Sequence, residues 1–280
     1  MEIKAADVKK LRDKTGAGML DCKKALKEAE GDFAKAEKHL KELGLAAAAK
    51  RSGRATNEGR VFTKVSDSTA TAVELACETD FVARNKDFIA LGEDIATTII
   101  EKGLTEKTPE LDEKVKDTIS TIKENMELRR FTTMSIADNE MVSDYTHGEG
   151  AIGVLVKLQA DSPSVLENDA VKEFAFDCAL HIAAFNPMFL DRNSVDGNYK
   201  EEQEAIFRKQ AENLGKPEKV LDGIVKGKLN KHFSEICLLD QGFVKEEKLS
   251  VAKKMEEVAK QAGGSLKLTD FVYYKVGDES

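Results

Sequence analysis

The run from Arg60 to Ile100, RVFTKVSDSTATAVELACETDFVARNKDFIALGEDIATTII, decides how this chain folds. Its first part is rich in Val and Thr and is broken at SDST, which reads as two strands joined by a tight turn. Beyond Lys86 the period changes. Phe88, Leu91, Ile95 and Ile99 recur at three- and four-residue steps, the spacing of one buried helix face. Between strand and helix lies ETDFVARN. Thr79 or Asp80 can cap the following helix by accepting its orphan backbone N–H groups. Phe81 stands seven residues before Phe88, so spacing alone leaves it either in the core or held out as a contact.

Upstream, three short helical stretches fill residues 1–45. VKKLRDKT ends at Gly16, MLDCKKALKEAE stops near Gly31, and Asp32 is placed to cap FAKAEKHLKELG. Val8, Leu11, Leu20, Leu26, Phe33, Ala36 and Leu40 are the expected small core. Residues 46–58 lose apolar periodicity and read as a helical tail and linker. Downstream, a charged helix over about 109–124 precedes a strand, MELRRFTTMSIA. SDYTHGEGAIGVLVKLQA then repeats the two-strand pattern around a glycine-rich turn, before a helix, AVKEFAFDCALHIAAF. Two α+β halves with internal pseudo-symmetry follow from this order. Near the C-terminus, KEEKLSVAKKMEEVAKQAGG reads as a helix closed by Gly263–Gly264, and LKLTDFVYYKV as a last strand. The second half is interrupted by two helical arms joined at Gly215-Lys216-Pro217, with Ile206, Leu221, Val225 and Leu229 as their seam.

The 280 residues are 41% apolar and 34% charged, enough for a core under a heavily charged surface. No Trp and only 4 Pro suit a helix-rich soluble protein, and a formal charge of −8 disfavours a general nucleic-acid binder. Lysines on the helical arms are interspersed with glutamates, which reads as a solvated face. Cys22, Cys77, Cys178 and Cys237 stand far apart, and buried reduced thiols are expected in place of a disulfide framework or zinc site. The chain has no apolar run of about 18 residues and no signal-peptide pattern, so a cytoplasmic protein is expected.

Motifs for chemistry are absent. Gly148-Glu149-Gly150-Ala151-Ile152-Gly153 matches the dinucleotide fingerprint by letter, but a strand-like run follows where a helix N-terminus is needed to hold the pyrophosphate. His39 and His232 sit among lysines and read as solvated, His181 as a core residue and His147 as a surface turn residue. No nucleophile motif or metal-ligand spacing appears. The chain reads as a non-enzyme without cofactor or metal.

Four stretches, KLRDKTGAGMLDCKKALKEAEGD, ETDFVARN, YTHGEGAIGVLV and HIAAFNP, resemble bacterial elongation factor Ts in that order, over about residues 3–276. The resemblance implies an α+β fold: an N-terminal three-helix, ubiquitin-associated-like domain, two core subdomains with antiparallel sheets and an inserted antiparallel helical hairpin. On this chain the domains are 1–45, a linker at 46–58, a core N-subdomain at 59–139, and a core C-subdomain at 140–280 with its hairpin at 196–236. The implied activity is guanine-nucleotide exchange on elongation factor Tu, with release of GDP and Mg²⁺ before GTP returns. Asp80 and Phe81, in the motif Thr79-Asp80-Phe81-Val82, match the residues that enter the GTPase near its Mg²⁺ and phosphate site. Arg12 and Met19 match contacts of the N-terminal module, with Leu20 in place of a family Met. Ile122 matches a further contact, followed here by Lys123 where the family often has Gly. His147 matches a contact away from the nucleotide.

Some members carry a C-terminal helix beyond the last strand, whereas this sequence ends at GDES, so that grip is expected to be missing. No direct nucleic-acid or membrane partner is implied, and a homodimer through the hairpin is compatible with it. Two rival readings remain. One is a peptide adaptor using the N-terminal bundle, the other a dinucleotide enzyme resting on GEGAIG.

Overall fold

The computed structural model describes residues 3–212 and 217–278. The chain forms two compact units, one of residues 1–134, 146–152 and 274–280, the other of residues 135–145 and 153–273. Helices and antiparallel pairs of strands follow one another in an α+β arrangement that starts with helices.

The first unit opens with α1 (Ala5–Thr15), α2 (Met19–Glu28) and α3 (Phe33–Ala49). Gly16 ends α1 at φ +66°, the left-handed cap that glycine takes without a Cβ penalty. Asp32 caps α3 by accepting the Lys35 amide at 3.1 Å. Val8, Leu11, Cys22, Ala25, Leu26, Ala36 and Leu40 form the bundle core, with Phe33 partly buried against it. Leu20 does not join them and is 83% exposed. Cys22, Ala25 and Leu26 define the inner face of α2, and residues two apart on a helix do not share a face.

The sheet of this unit begins with β1 (Glu58–Val65) and β2 (Thr69–Cys77), antiparallel from Glu58↔Cys77 to Val65↔Ala70. Ser66 closes the turn by donating its amide to Thr69 O at 2.8 Å. After the short α4 (Asp80–Ala83) come α5 (Lys86–Lys102), α6 (Pro109–Ile122) and β3 (Met126–Ser135), which lies beside β2. Phe88, Leu91, Ile95 and Ile99 of α5 are buried with Phe62, Val73 and Leu75 of the sheet. A Cβ on Gly92 would lie 2.1 Å from the Phe62 ring, so this glycine admits the ring against the helix. The bundle is seated on α6. Lys41 reaches Glu113 at 2.8 Å and Asp117 at 3.5 Å, and a Cβ on Gly44 would stand 2.4 Å from Ser120 Cβ.

The second unit is built on most of β4 (Glu140–His147), β5 (Ile152–Ala160) and β8 (Leu266–Lys275), whose residues 146–147, 152 and 274–275 count with the first unit, and on α7 (Pro163–Leu166), α8 (Asp169–Phe185), α9 (Gly197–Glu212), α10 (Glu218–Ile236), β6 (Gly242–Phe243), β7 (Glu246–Ser250) and α11 (Val251–Ala262). Its main sheet runs β4-β5-β8. The expected helix from Lys245 begins later, at Val251. Glu246–Ser250 pair with β6 as a strand, and the Ser250 hydroxyl caps α11 by accepting the Lys253 amide. His181 is a core residue, fully buried on α8.

Helices α9 and α10 form an antiparallel hairpin, cross-linked by Tyr199–His232, Arg208–Asp222 and Lys228–Gln210. Gly215 and Lys216 of the expected joint lie outside the described residues. Val225 is buried in the seam, whereas Ile206 is exposed and Leu221 and Leu229 are half-buried. Aromatic rings fill the rest. His232, expected in solvent, bonds the Tyr199 hydroxyl at 3.0 Å and packs edge-on to Phe207.

All four cysteines are free and buried. Among the described residues no helix is long and apolar enough to cross a membrane, and no group of acidic, His and Cys side chains could hold a metal ion.

Candidate functional site

The residues after β2 are tied down before they turn outward. Cys77 donates its thiol to Thr79 O at 3.2 Å. Burial pushes that thiol up to about 12, helped by the Glu124 carboxylate, so the sulfur stays a neutral donor. Glu78 accepts the Asn125 amide at 2.6 Å and Arg54 Nη1 at 3.2 Å, and Asn125 Nδ2 donates back to Arg54 O at 2.8 Å. Thr79 Oγ1 accepts the Val82 amide at 3.3 Å, and it donates to the Glu124 carboxylate at 3.0 Å.

The cap opens a single helical turn, α4, before Asn85 Oδ1 accepts the Asp87 amide at 2.8 Å and starts α5. Val82 and Ala83 point into the core of the first unit. Neighbouring residues on one helical turn face different ways, so Phe81 is driven out and is 81% exposed. Of the two readings that spacing left open for Phe81, the exposure removes the core one. Thr79 is the cap, Phe81 is the outward knob, and Val82, expected at a partner surface, is instead its buried root.

The loop that follows α6 holds this knob and also reaches α2. Lys123 takes the helix-ending left-handed position at φ +73°, where glycine would be easier. Its ammonium lies 3.5 Å from the Asp21 carboxylate, next in sequence to Leu20. Its neighbour Glu124 accepts the hydrogen bond of the Thr79 hydroxyl. Ile122 is half-buried against the core. Met19 is 42% exposed, and Arg12 is exposed on the last turn of α1. Gly16 presses that turn onto α6, because a Cβ there would lie 2.8 Å from Thr121 Cγ2.

His147 is exposed at the end of β4. The next three residues are all left-handed: Gly148 at φ +59°, Glu149 at +56° and Gly150 at +91°. Gly150 O accepts the Val61 amide at 2.7 Å, which fastens the turn to β1. This glycine-rich stretch leads into β5, so it offers no helix N-terminus to a pyrophosphate. Arg12, Met19, Leu20, Thr79–Val82, Ile122 and His147 therefore all belong to the first unit. Met19, Leu20 and Phe81 among them are exposed apolar side chains.

Sequence reasoning missed Glu124 and Asn125, which fasten the Phe81 turn, and the charged pair Arg84 and Glu149 beside it. Only Arg84 had a local signal, its spacing of four from Asp80.

A family model, Elongation factor TS, matches residues 78–278. An elongation factor Ts of Treponema denticola is 52% identical over 277 residues, which is 99% of this chain and 99% of that relative. The chain belongs to the elongation factor Ts family. Other elongation factors Ts are similar along the same length. That of Borrelia recurrentis is 46% identical over 278 residues, covering 99% of this chain and 100% of its own. That of Treponema pallidum strain Nichols is 45% identical over 288 residues, 99% of both chains. The elongation factor Ts match begins at Glu78, the residue that opens the Phe81 turn, and the full-length relatives extend the likeness over the N-terminal bundle.

Proposed function

We propose that this chain is a guanine-nucleotide exchange factor for the translation GTPase elongation factor Tu. It promotes release of GDP and Mg²⁺ so that GTP can rebind during polypeptide elongation, and it works in the cytoplasm. The observation that carries this reading is Phe81, an 81% exposed aromatic on a turn that Thr79 caps and ties to Glu124, in a chain of the elongation factor Ts family. The N-terminal bundle, residues 1–45, grips the G domain through Arg12, Met19 and Leu20. Asp80 and Phe81 enter near the Mg²⁺ and phosphate site, with Thr79 and Val82 seating them. Ile122 and His147 extend the contact to either side.

Nothing in this action requires bond chemistry by the factor. Exchange is negative coupling: factor and nucleotide weaken each other's binding by the same factor. Burying one Phe side chain stabilises a complex by roughly 1.5–3 kcal/mol. An acceleration of about 10⁴ needs about 5.5 kcal/mol. Phe81 alone falls short, so the bundle contacts must favour the nucleotide-free GTPase as well.

The test is release of fluorescent GDP from elongation factor Tu, with and without this protein at micromolar concentration. Accelerated release is expected. A release rate unchanged by the added protein would overturn the reading.

A further inference from the structure

Arg84 stands between two carboxylates. Its Nε lies 3.3 Å from Glu149 Oε2, while its Nη2 is 4.0 Å from Asp80 Oδ2. Arg60 Nη2 approaches the same Glu149 oxygen at 3.5 Å. Two cations thus face Glu149, and among the described residues Asp80 keeps only the far edge of one. Asp80 and Arg84 are four residues apart, the spacing at which an unopposed pair closes across a helical turn. A cleft of about 200 Å³, lined by Asp80, Arg84 and Glu149, leaves the guanidinium room to make that move.

The backbone makes the glutamate conspicuous. Glu149 has φ +56° between two left-handed glycines, a conformation that glycine adopts freely and a glutamate disfavours. The turn itself is held by the Val61–Gly150 hydrogen bond, which needs no side chain at position 149. An ion pair between side chains this exposed adds little to folding. Neither backbone nor stability accounts for a carboxylate here.

We propose that Glu149 is a positioning residue for nucleotide exchange. It draws Arg84 off Asp80 and so leaves the Asp80 carboxylate free for the GTPase beside Phe81. This rests on the exchange reading above, in which Asp80 meets the partner near its metal and phosphate site.

The variant Glu149→Gly removes the carboxylate while easing the backbone. In it Arg84 closes on Asp80. Stimulated GDP release from elongation factor Tu is expected to fall by about tenfold, a 1.4 kcal/mol effect, while the thermal midpoint of the variant is not lowered. Adding Arg84→Ala to Glu149→Gly is expected to restore release to within about twofold of the unmodified chain, since no guanidinium remains to occupy Asp80. A merely structural ion pair predicts no such rescue. Unchanged release by Glu149→Gly, or a double variant no faster than the single, would overturn the proposal. Failure of the unmodified chain to accelerate release would overturn the exchange reading itself, and this proposal with it.

Discussion

Thr79 donates its hydroxyl proton to the Glu124 carboxylate at 3.0 Å while the same oxygen accepts the Val82 amide. One side chain thereby caps α4 and binds it to the loop after α6. Thr79→Ala removes both bonds, and loss of such a cap costs about 0.5–2 kcal/mol. Urea unfolding should show a loss of that size, and stimulated GDP release should slow because the Phe81 turn is freed. Thr79→Ser keeps the oxygen and should stay near the unmodified chain in both measurements. An alanine variant with full exchange activity would mean that the cap does not position Phe81.

Leu20 separates binding from folding. It is 83% exposed, so Leu20→Ala should change stability by no more than about 0.5 kcal/mol. Burying a leucine against a partner is worth roughly 1.5–3 kcal/mol, so affinity for elongation factor Tu should weaken by about ten- to a hundredfold. Titration calorimetry beside thermal unfolding reads both. Unaltered affinity would remove Leu20 from the interface.

His181 makes the second unit sensitive to acid. Gln241 Nε2 donates to Glu235 O at 2.7 Å, which turns Gln241 Oε1 towards His181 Nε2 at 2.8 Å. That oxygen needs a donor, so the imidazole carries its proton on Nε2. Its Nδ1 is buried with no hydrogen-bond partner among the described residues, and a second proton there would find no acceptor among them. Burial accordingly holds the folded pKa below the ordinary 6.5, against the raising effect of the Gln241 bond. The unfolded chain therefore takes up the proton first. Stability is full above about pH 6.5, falls as pH drops towards the folded value, and levels off beneath it. Urea unfolding from pH 8 to pH 5 should show this loss, and His181→Gln should remove it from the profile. A variant with the same slope as the unmodified chain would contradict the assignment.

Much of this molecule was legible in its sequence because the signals are local. The 3.6-residue spacing of Phe88, Leu91, Ile95 and Ile99 marks a buried face wherever that helix sits, and SDST needs only its own neighbours to turn. Leu20 misled because an apolar letter in a small bundle looks like core, while the inner face of α2 is set by Cys22, Ala25 and Leu26. Lys245–Ser250 look helical by composition, yet β6 recruits Glu246–Ser250 into a strand by pairing. His232 was misplaced because its aromatic partners come from the opposite arm, 33 residues away at Tyr199.

The candidate site was legible only in part. The cap at Thr79 is a local signal. The outward turn of Phe81 is not, since it depends on Val82 finding the core, on Glu124 meeting Thr79 across 45 residues and on Asn125 meeting Glu78 across 47. The fastening of Gly150 to Val61, which brings Glu149 to Arg84, likewise has no trace in either stretch alone.

Exchange by this chain turns on Phe81. Being 81% exposed, it can be truncated without opening the core. The measurement is stopped-flow release of fluorescent GDP from elongation factor Tu by the Phe81→Ala chain, with complex formation followed in parallel. Release is expected to slow by about ten- to a hundredfold, the worth of one buried phenylalanine, with the complex still forming. An unchanged release rate would contradict that role of Phe81.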